Sequence, residues 1–183
     1  LRLHKINAEK LLDALRKVNK QNKIDLVVFG GDLIDRGGES FSSPTEGFKT
    51  FEEIVLLPIK SELGLTNEHI VIVPGNHDKD VSLLTKGADS LMKSLGTETK
   101  VMKFLFSDNS ANENMKGMLA YYAFRDAFYN GIAEYSKSET DFASCLKNQI
   151  EGKKIGIAML NTAWGCTAKS GEEVLLGNAQ VME

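Results

Sequence analysis

The chain has 183 residues, 42% hydrophobic and 26% charged, with a formal net charge of −3. That is the composition of a globular domain of ordinary size, and it argues against a broad basic face for holding nucleic acid non-specifically. No stretch reaches the roughly 18 to 20 apolar residues of a membrane helix, and the opening LRLHKINAEK lacks the apolar core of a secretory signal.

In chain order, Asn7 to about Gln21 reads as an amphipathic helix. Leu11, Leu12, Leu15 and Val18 form one stripe, lysines and Arg16 cover the rest, and Asn7 is placed to cap the start. KIDLVVFG (23–30) follows as a buried strand, because its apolar residues run on rather than alternate. A second helix is expected from about Glu46 to Leu63, interrupted near Pro58. HIVIVPG (69–75) is a second buried strand and KKIGIAMLNTA (153–163) a third. Strand, helix, strand with continuous apolar strands predicts a parallel sheet in an α/β fold.

The middle of the chain, about 81–150, reads as mostly helical. Its aromatic run YYAFRDAFY (121–129) has helical spacing, which suits core packing or a lid, and SDNSANEN (107–114) reads as a loop. Cys145 and Cys166 are 21 residues apart with no C-x-x-C pair, so buried thiols in a reducing, cytoplasmic compartment are expected. Residue 1 is leucine and the final LLGNAQVME reads as the start of a helix. A piece of a longer chain, incomplete at both ends, is therefore expected.

Two stretches carry chemistry. FGGDLIDRGG (29–38) and VPGNHDKD (73–80) each follow a predicted strand, and ligands of open parallel sheets gather at strand carboxyl ends. Gly30, Gly31 and Gly75 let the backbone turn, so that Asp32 and the Asn76-His77-Asp78 group leave at the sheet rim. Two acidic loops facing one crevice repel unless a cation lies between them, and carboxylate, amide oxygen and imidazole suit a divalent metal. Either loop alone is a common turn; G-D-x-x-D-R-G and G-N-H-D together, in order, are far more specific.

With these motifs the chain resembles the calcineurin-like metallophosphoesterases, GDLIDRG matching that family's second motif and GNHD its third. LGLTNEHIVIVPGNHDKD and IGIAMLNTAWGCTAKSGEEVLLGNAQ are similar to a bacterial, intracellular branch. The resemblance implies a four-layer α/β sandwich, here partial over residues 1–183, with the helical middle as an insertion. It also implies two divalent metal ions (Mn, Fe or Zn) and a phosphate-ester substrate, mono- or diester. Asp32 would bridge the metals, Asn76 would hold the second, and His77 would be the general acid at the leaving oxygen. Asp35 would orient His77, and Arg36 would reach the phosphate.

The chemistry is consistent with those roles. Two metals about 3.5 to 4 Å apart need a shared oxygen ligand and activate water for in-line attack. The departing alkoxide needs a proton, which an imidazolium can give, and a carboxylate on the far ring nitrogen fixes the tautomer. The planar fork of an arginine matches two phosphate oxygens. The family's first motif, Asp-x-His, and its late Gly-His and Gly-His-x-His are absent from these residues. The histidines are His4, His69 and His77, of which His69 reads as structural and His4 as a rim residue. Metal is therefore expected to bind these residues alone weakly or not at all. Two readings stay open: a metal-dependent phosphoesterase, or a non-catalytic regulatory or scaffold module that keeps the fold. The charge disfavours long nucleic acid as substrate, and no membrane is expected as a partner.

Overall fold

The computed structural model describes residues 2–84, 87–105, 115–138 and 141–167, side chains at 2–4, 89, 98 and 105 excepted. The loop expected at 107–114, the side chain of His4 and the segment from 168 onward lie outside the described residues.

Helix α1, Arg2–Gln21, starts five residues before the expected cap. Asn7 sits inside it, because no glycine or proline in RLHKI stops the helix from extending upstream. Its stripe is only half covered. Ala8 is buried, while Leu11 and Val18 remain 43% and 51% exposed. Strand β1, Val27–Phe29, pairs in parallel with β2, Ile70–Ile72, in the register Val27 to Ile70 and Phe29 to Ile72. This is the expected strand–helix–strand unit. The connection holds α2, Pro44–Phe51, a π-helical turn, Glu52–Leu56, and α3, Leu57–Leu63. Ser43 caps α2 by accepting from the Glu46 N–H at 3.2 Å, with Pro44 at the first helical position. The expected interruption is that π turn. Pro58 has no N–H to offer back to Ile54, and the Leu57 N–H reaches back five residues to the Glu52 carbonyl. Gly64, left-handed at φ 65°, ends α3.

Beyond the site loops come α4, Ala88–Ser94, α5, Glu98–Leu105, and α6, Leu119–Phe128. The helical stretch ends at Phe128, and the expectation of helix up to about 150 is corrected there. Residues Tyr135–Lys137 (β3), Ala143–Ile150 (β4) and Lys153–Leu160 (β5) form an antiparallel sheet in the order β3-β4-β5. In ASCLKNQI the inward residues Ala143 and Leu146 are separated by small and polar ones, so β4 shows no clean period-2 signal. The third buried strand expected at 153–163 is β5, which lies antiparallel to β4 in a separate sheet and is buried only toward its end, at Met159.

The run at 121–129 is core packing. Phe124 stacks on Phe48 of α2 at 5.2 Å, and Tyr121, Phe128 and Tyr129 are buried. Its hydroxyls also serve β2 on the side away from β1. Tyr129 Oη accepts from the Ile72 N–H at 3.0 Å and donates to the Ile70 carbonyl at 2.8 Å, and Tyr121 Oη donates to the Ile72 carbonyl at 3.1 Å. Two tyrosines thus stand in for a neighbouring strand, satisfying backbone groups that are costly to bury unpaired. Trp164, fully buried after β5, stacks on Phe104 of α5 at 5.5 Å and ties the second sheet into the same core.

Candidate active site

The two glycine-turned loops meet at the carboxyl ends of β1 and β2. The first runs from Gly30 through a 3-10 turn at Arg36–Gly38, the second from Pro74 through a 3-10 turn at Asn76–Asp78. Their approach is close enough to exclude any Cβ. One on Gly31, where φ is 110°, would lie 2.6 Å from the Gly75 nitrogen, and one on Gly75 would lie 2.8 Å from the Asp32 carboxyl carbon. Glycine at both positions is therefore a condition of the site.

Asp78 joins the loops. Fully buried, its Oδ1 accepts from the Ile34 N–H at 3.1 Å and its Oδ2 from the Gly75 N–H at 2.8 Å. One carboxylate thereby holds both backbones. Burial pushes its pKa up to about 6, against the opposing pull of N–H groups from Gly75, Ile34 and Leu33. Sequence reasoning assigned Asp78 no role. The signal was its position three residues after Gly75, at the first turn of a helix, where a carboxylate can reach back to the preceding N–H.

On that frame the His77 N–H donates to Asp32 Oδ1 at 3.0 Å. The His77 ring sets Nδ1 3.2 Å from Asp35 Oδ1. The Arg36 N–H also points at this nitrogen, at 3.5 Å. Both contacts cannot hold with one tautomer. The shorter, carboxylate-assisted contact favours a proton on Nδ1, which leaves Nε2 as the nitrogen with the open lone pair. Asp32 and Arg36 have left-handed backbones, φ 55° and 44°. Such strain in non-glycine residues concentrates at functional sites. The Arg36 guanidinium is 71% exposed and pairs with the similarly exposed Glu39 at 3.6 Å. Asn76 is half-buried on the same turn.

His77 stands between two cavities. One, about 290 Å³, is lined by Asp32, Asp35, Phe41, Phe51 and Ile54. The other, about 630 Å³, is lined by Arg36, Ser42, Lys79, Asp80, Cys166 and Thr167. All five residues expected from the sequence, Asp32, Asp35, Arg36, Asn76 and His77, thus lie on the two joined loops. His69 lies elsewhere, its Nδ1 2.8 Å from Thr66 Oγ1 in the 3-10 turn before β2. Among the described residues, no group of three or more His, Cys, Asp and Glu side chains could hold a metal ion. The oxygen donors of Asp32 and Asn76 suit a hard or borderline divalent cation but make up only part of a ligand set.

A sequence model described as calcineurin-like phosphoesterase matches residues 3–152. The chain belongs to the calcineurin-like phosphoesterase family. A relative in Bacillus subtilis (strain 168), the uncharacterized metallophosphoesterase-like protein YydB, is 25% identical over 175 residues, 94% of this chain. The chain spans 32% of that relative's length. No solved structure matches it.

Proposed function

We propose that the full-length protein is a divalent-metal-dependent phosphoesterase, acting on a phosphomonoester or phosphodiester, with His77 as general acid. The observation that carries this reading is the convergence on His77. Its N–H meets Asp32 and its ring meets Asp35, residues 45 and 42 positions away in sequence on a different loop. A scaffold has no need for an exposed histidine aligned this way by two carboxylates.

Asp32 and Asn76 would contribute oxygen ligands to the metals. When bound, the metals supply Lewis acidity that activates water for in-line attack on phosphorus. Asp35 holds the His77 ring with its proton on Nδ1, so Nε2 can carry the second proton and release it to the departing alkoxide. Arg36 would pair two phosphate oxygens through its planar fork. The buried Asp78 keeps the two loops in register beneath the exposed contacts of His77 with Asp32 and Asp35. For the full-length protein we propose the four-layer sandwich of the family, with residues from about 81 to 150, whose described helices end at Phe128, inserted into it, and a reducing, cytoplasmic setting. The net charge of −3 speaks for a small ester over long nucleic acid.

The test is a screen of model mono- and diesters with the full-length protein and manganese, followed by the same screen after chelation. Turnover that chelation abolishes and manganese restores is the expected result. A folded, metal-loaded protein that turns over none of them would point to a non-catalytic regulatory or scaffold module instead.

A further inference from the structure

Two residues beyond His77 lies a cation that the proposed chemistry does not use. The Lys79 side chain is 1% exposed, yet among the described residues it meets no carboxylate. Its Nζ donates to two main-chain carbonyls, Trp164 at 2.5 Å and Cys166 at 2.8 Å. Both belong to the segment that leaves β5, Asn161–Thr167, which has no regular secondary structure to fix it. The start of that segment is held by Asn161, whose N–H donates to the Phe142 carbonyl at 3.0 Å and whose Nδ2 donates to Tyr122 Oη at 3.0 Å, and its middle by Ala163 N–H to Asn161 Oδ1 at 2.9 Å and the ring contacts of Trp164. Lys79 therefore bonds the segment from the second sheet directly to the residue that follows the Asn76–Asp78 turn.

The placement has a consequence for the larger cavity. Its wall is made on one side by Arg36, His77 and Asp80, from the two site loops, and on the other by Cys166 and Thr167, from the tethered segment. Lys79 lines it where the two sides meet. A buried ammonium with no carboxylate partner among the described residues is an expensive way to hold two carbonyls, since burial draws its pKa down to about 8. At neutral pH the group is still charged. It contributes charge-assisted hydrogen bonds, which are the strong ones.

We propose that Lys79 is a positioning residue: its buried ammonium fastens the 161–167 segment to the turn that carries Asn76 and His77, and so fixes the cavity wall against which the alcohol side of the ester rests. The cavity's use rests on the phosphoesterase reading; the fastening does not. The wall touches the alcohol portion equally before and during bond breaking, so its loss raises KM and leaves kcat nearly unchanged.

The experiment uses the full-length protein and the variants Lys79→Met and Lys79→Arg, with two readouts. The first is the rate at which a thiol reagent modifies Cys166, followed on its own peptide by mass spectrometry because Cys145 also reacts. Cys166 is 1% exposed, so it reacts only when the segment opens. Removing charge-assisted bonds in Lys79→Met should raise that rate about ten-fold or more, with the melting transition still cooperative. The second readout is KM for a hydrolysed ester, expected to rise about ten-fold in the same variant at unchanged metal content. Lys79→Arg keeps the charge and two donors, and should restore both values most of the way. Unchanged Cys166 labelling in folded Lys79→Met overturns the proposal, and so does faster labelling with an unchanged KM. If Lys79→Met does not fold, Lys79→Arg decides: slow labelling and near-native KM support the fastening, fast labelling in a folded protein overturns it. Should the wild type hydrolyse no ester at all, the phosphoesterase reading fails, and the labelling rates still judge the fastening.

Discussion

The apolar runs at 70–72 (IVI) and 155–159 (IGIAM) look alike in sequence but meet different neighbours. Each residue of β2 is at most 2% exposed, enclosed by β1 on one edge and by the hydroxyls of Tyr121 and Tyr129 on the other. In β5, Lys153 through Gly156 are exposed, with Ile155 at 36%, and among the described residues its only paired neighbour is β4. A continuous apolar run says that neither face of a strand is polar. What covers the faces is decided by other segments. The His77 loop leaves the enclosed β2, whereas the Asp32 loop leaves β1, whose Val28 is 59% exposed and which is held by its pairing with β2; the backbone that aims both residues is thus anchored through β2.

The comparison can be broken by equivalent substitutions in the two strands. Ile72→Ala should cost about 2–5 kcal/mol in urea unfolding, the usual range for a buried isoleucine. A loss comparable to that of an exposed position would mean that β2 is not the anchor. Asp78→Asn comes next, at about 1–3 kcal/mol, since an amide nitrogen would face one of the two backbone N–H groups that the carboxylate accepts. Its pH dependence has a definite sign. Because the folded pKa of Asp78 is raised to about 6 from 3.8, the stability this group contributes is fully present below pH 3.8 and is lost as pH rises through 6. The gap between wild type and Asp78→Asn should therefore narrow between about pH 4 and pH 6. A gap that widens over that interval would show a carboxylate preferred charged, contrary to its burial.

Tyr129→Phe sharpens the account of the β2 edge. It strands the Ile72 N–H and should cost about 1–2 kcal/mol, with faster hydrogen exchange at that amide. Unaltered exchange there would show that the hydroxyl is not the edge's partner. The smallest effect is expected for Ile155→Ala, about 0.5 kcal/mol, as for other exposed positions. A loss above about 2 kcal/mol would mean that β5 is covered in solution.

Part of the candidate site was legible in the sequence. GGD and PGN after apolar runs announce sharp turns at strand ends, and a parallel pair brings such turns to one rim; that logic picks out Asp32, Asn76 and His77, whereas Asp35 and Arg36 are singled out by the family resemblance. Less legible was what holds the loops together. Asp78 and Lys79 look like surface charges in the polar string NHDKD, and only tertiary contacts bury them, through Ile34 in one case and Trp164 and Cys166 in the other. The sheet of 135–160 was misread for a related reason. β4 alternates poorly because Ser144 is buried while Asn148 and Ile150 are both half-buried, and no turn motif as plain as Asn-Gly marks its hairpin, where Glu151 and Gly152 take left-handed backbones at φ 48° and 76°. The π turn was foreseeable as an interruption at Pro58, but its form depends on the backbone register the surrounding core imposes.

The central claim is that the two anchored loops give His77 a different task from its neighbour Asn76: proton donation as against metal binding. It is tested most directly in the full-length protein by measuring metal content beside turnover for His77→Asn, on an ester with a poor leaving group and on one with a good leaving group such as nitrophenolate. The account predicts nearly unchanged metal content, with turnover of the poor substrate down by about two to four powers of ten and a much smaller loss on the good one, which needs no proton. Loss of metal, or equal loss of activity on both esters, would contradict it.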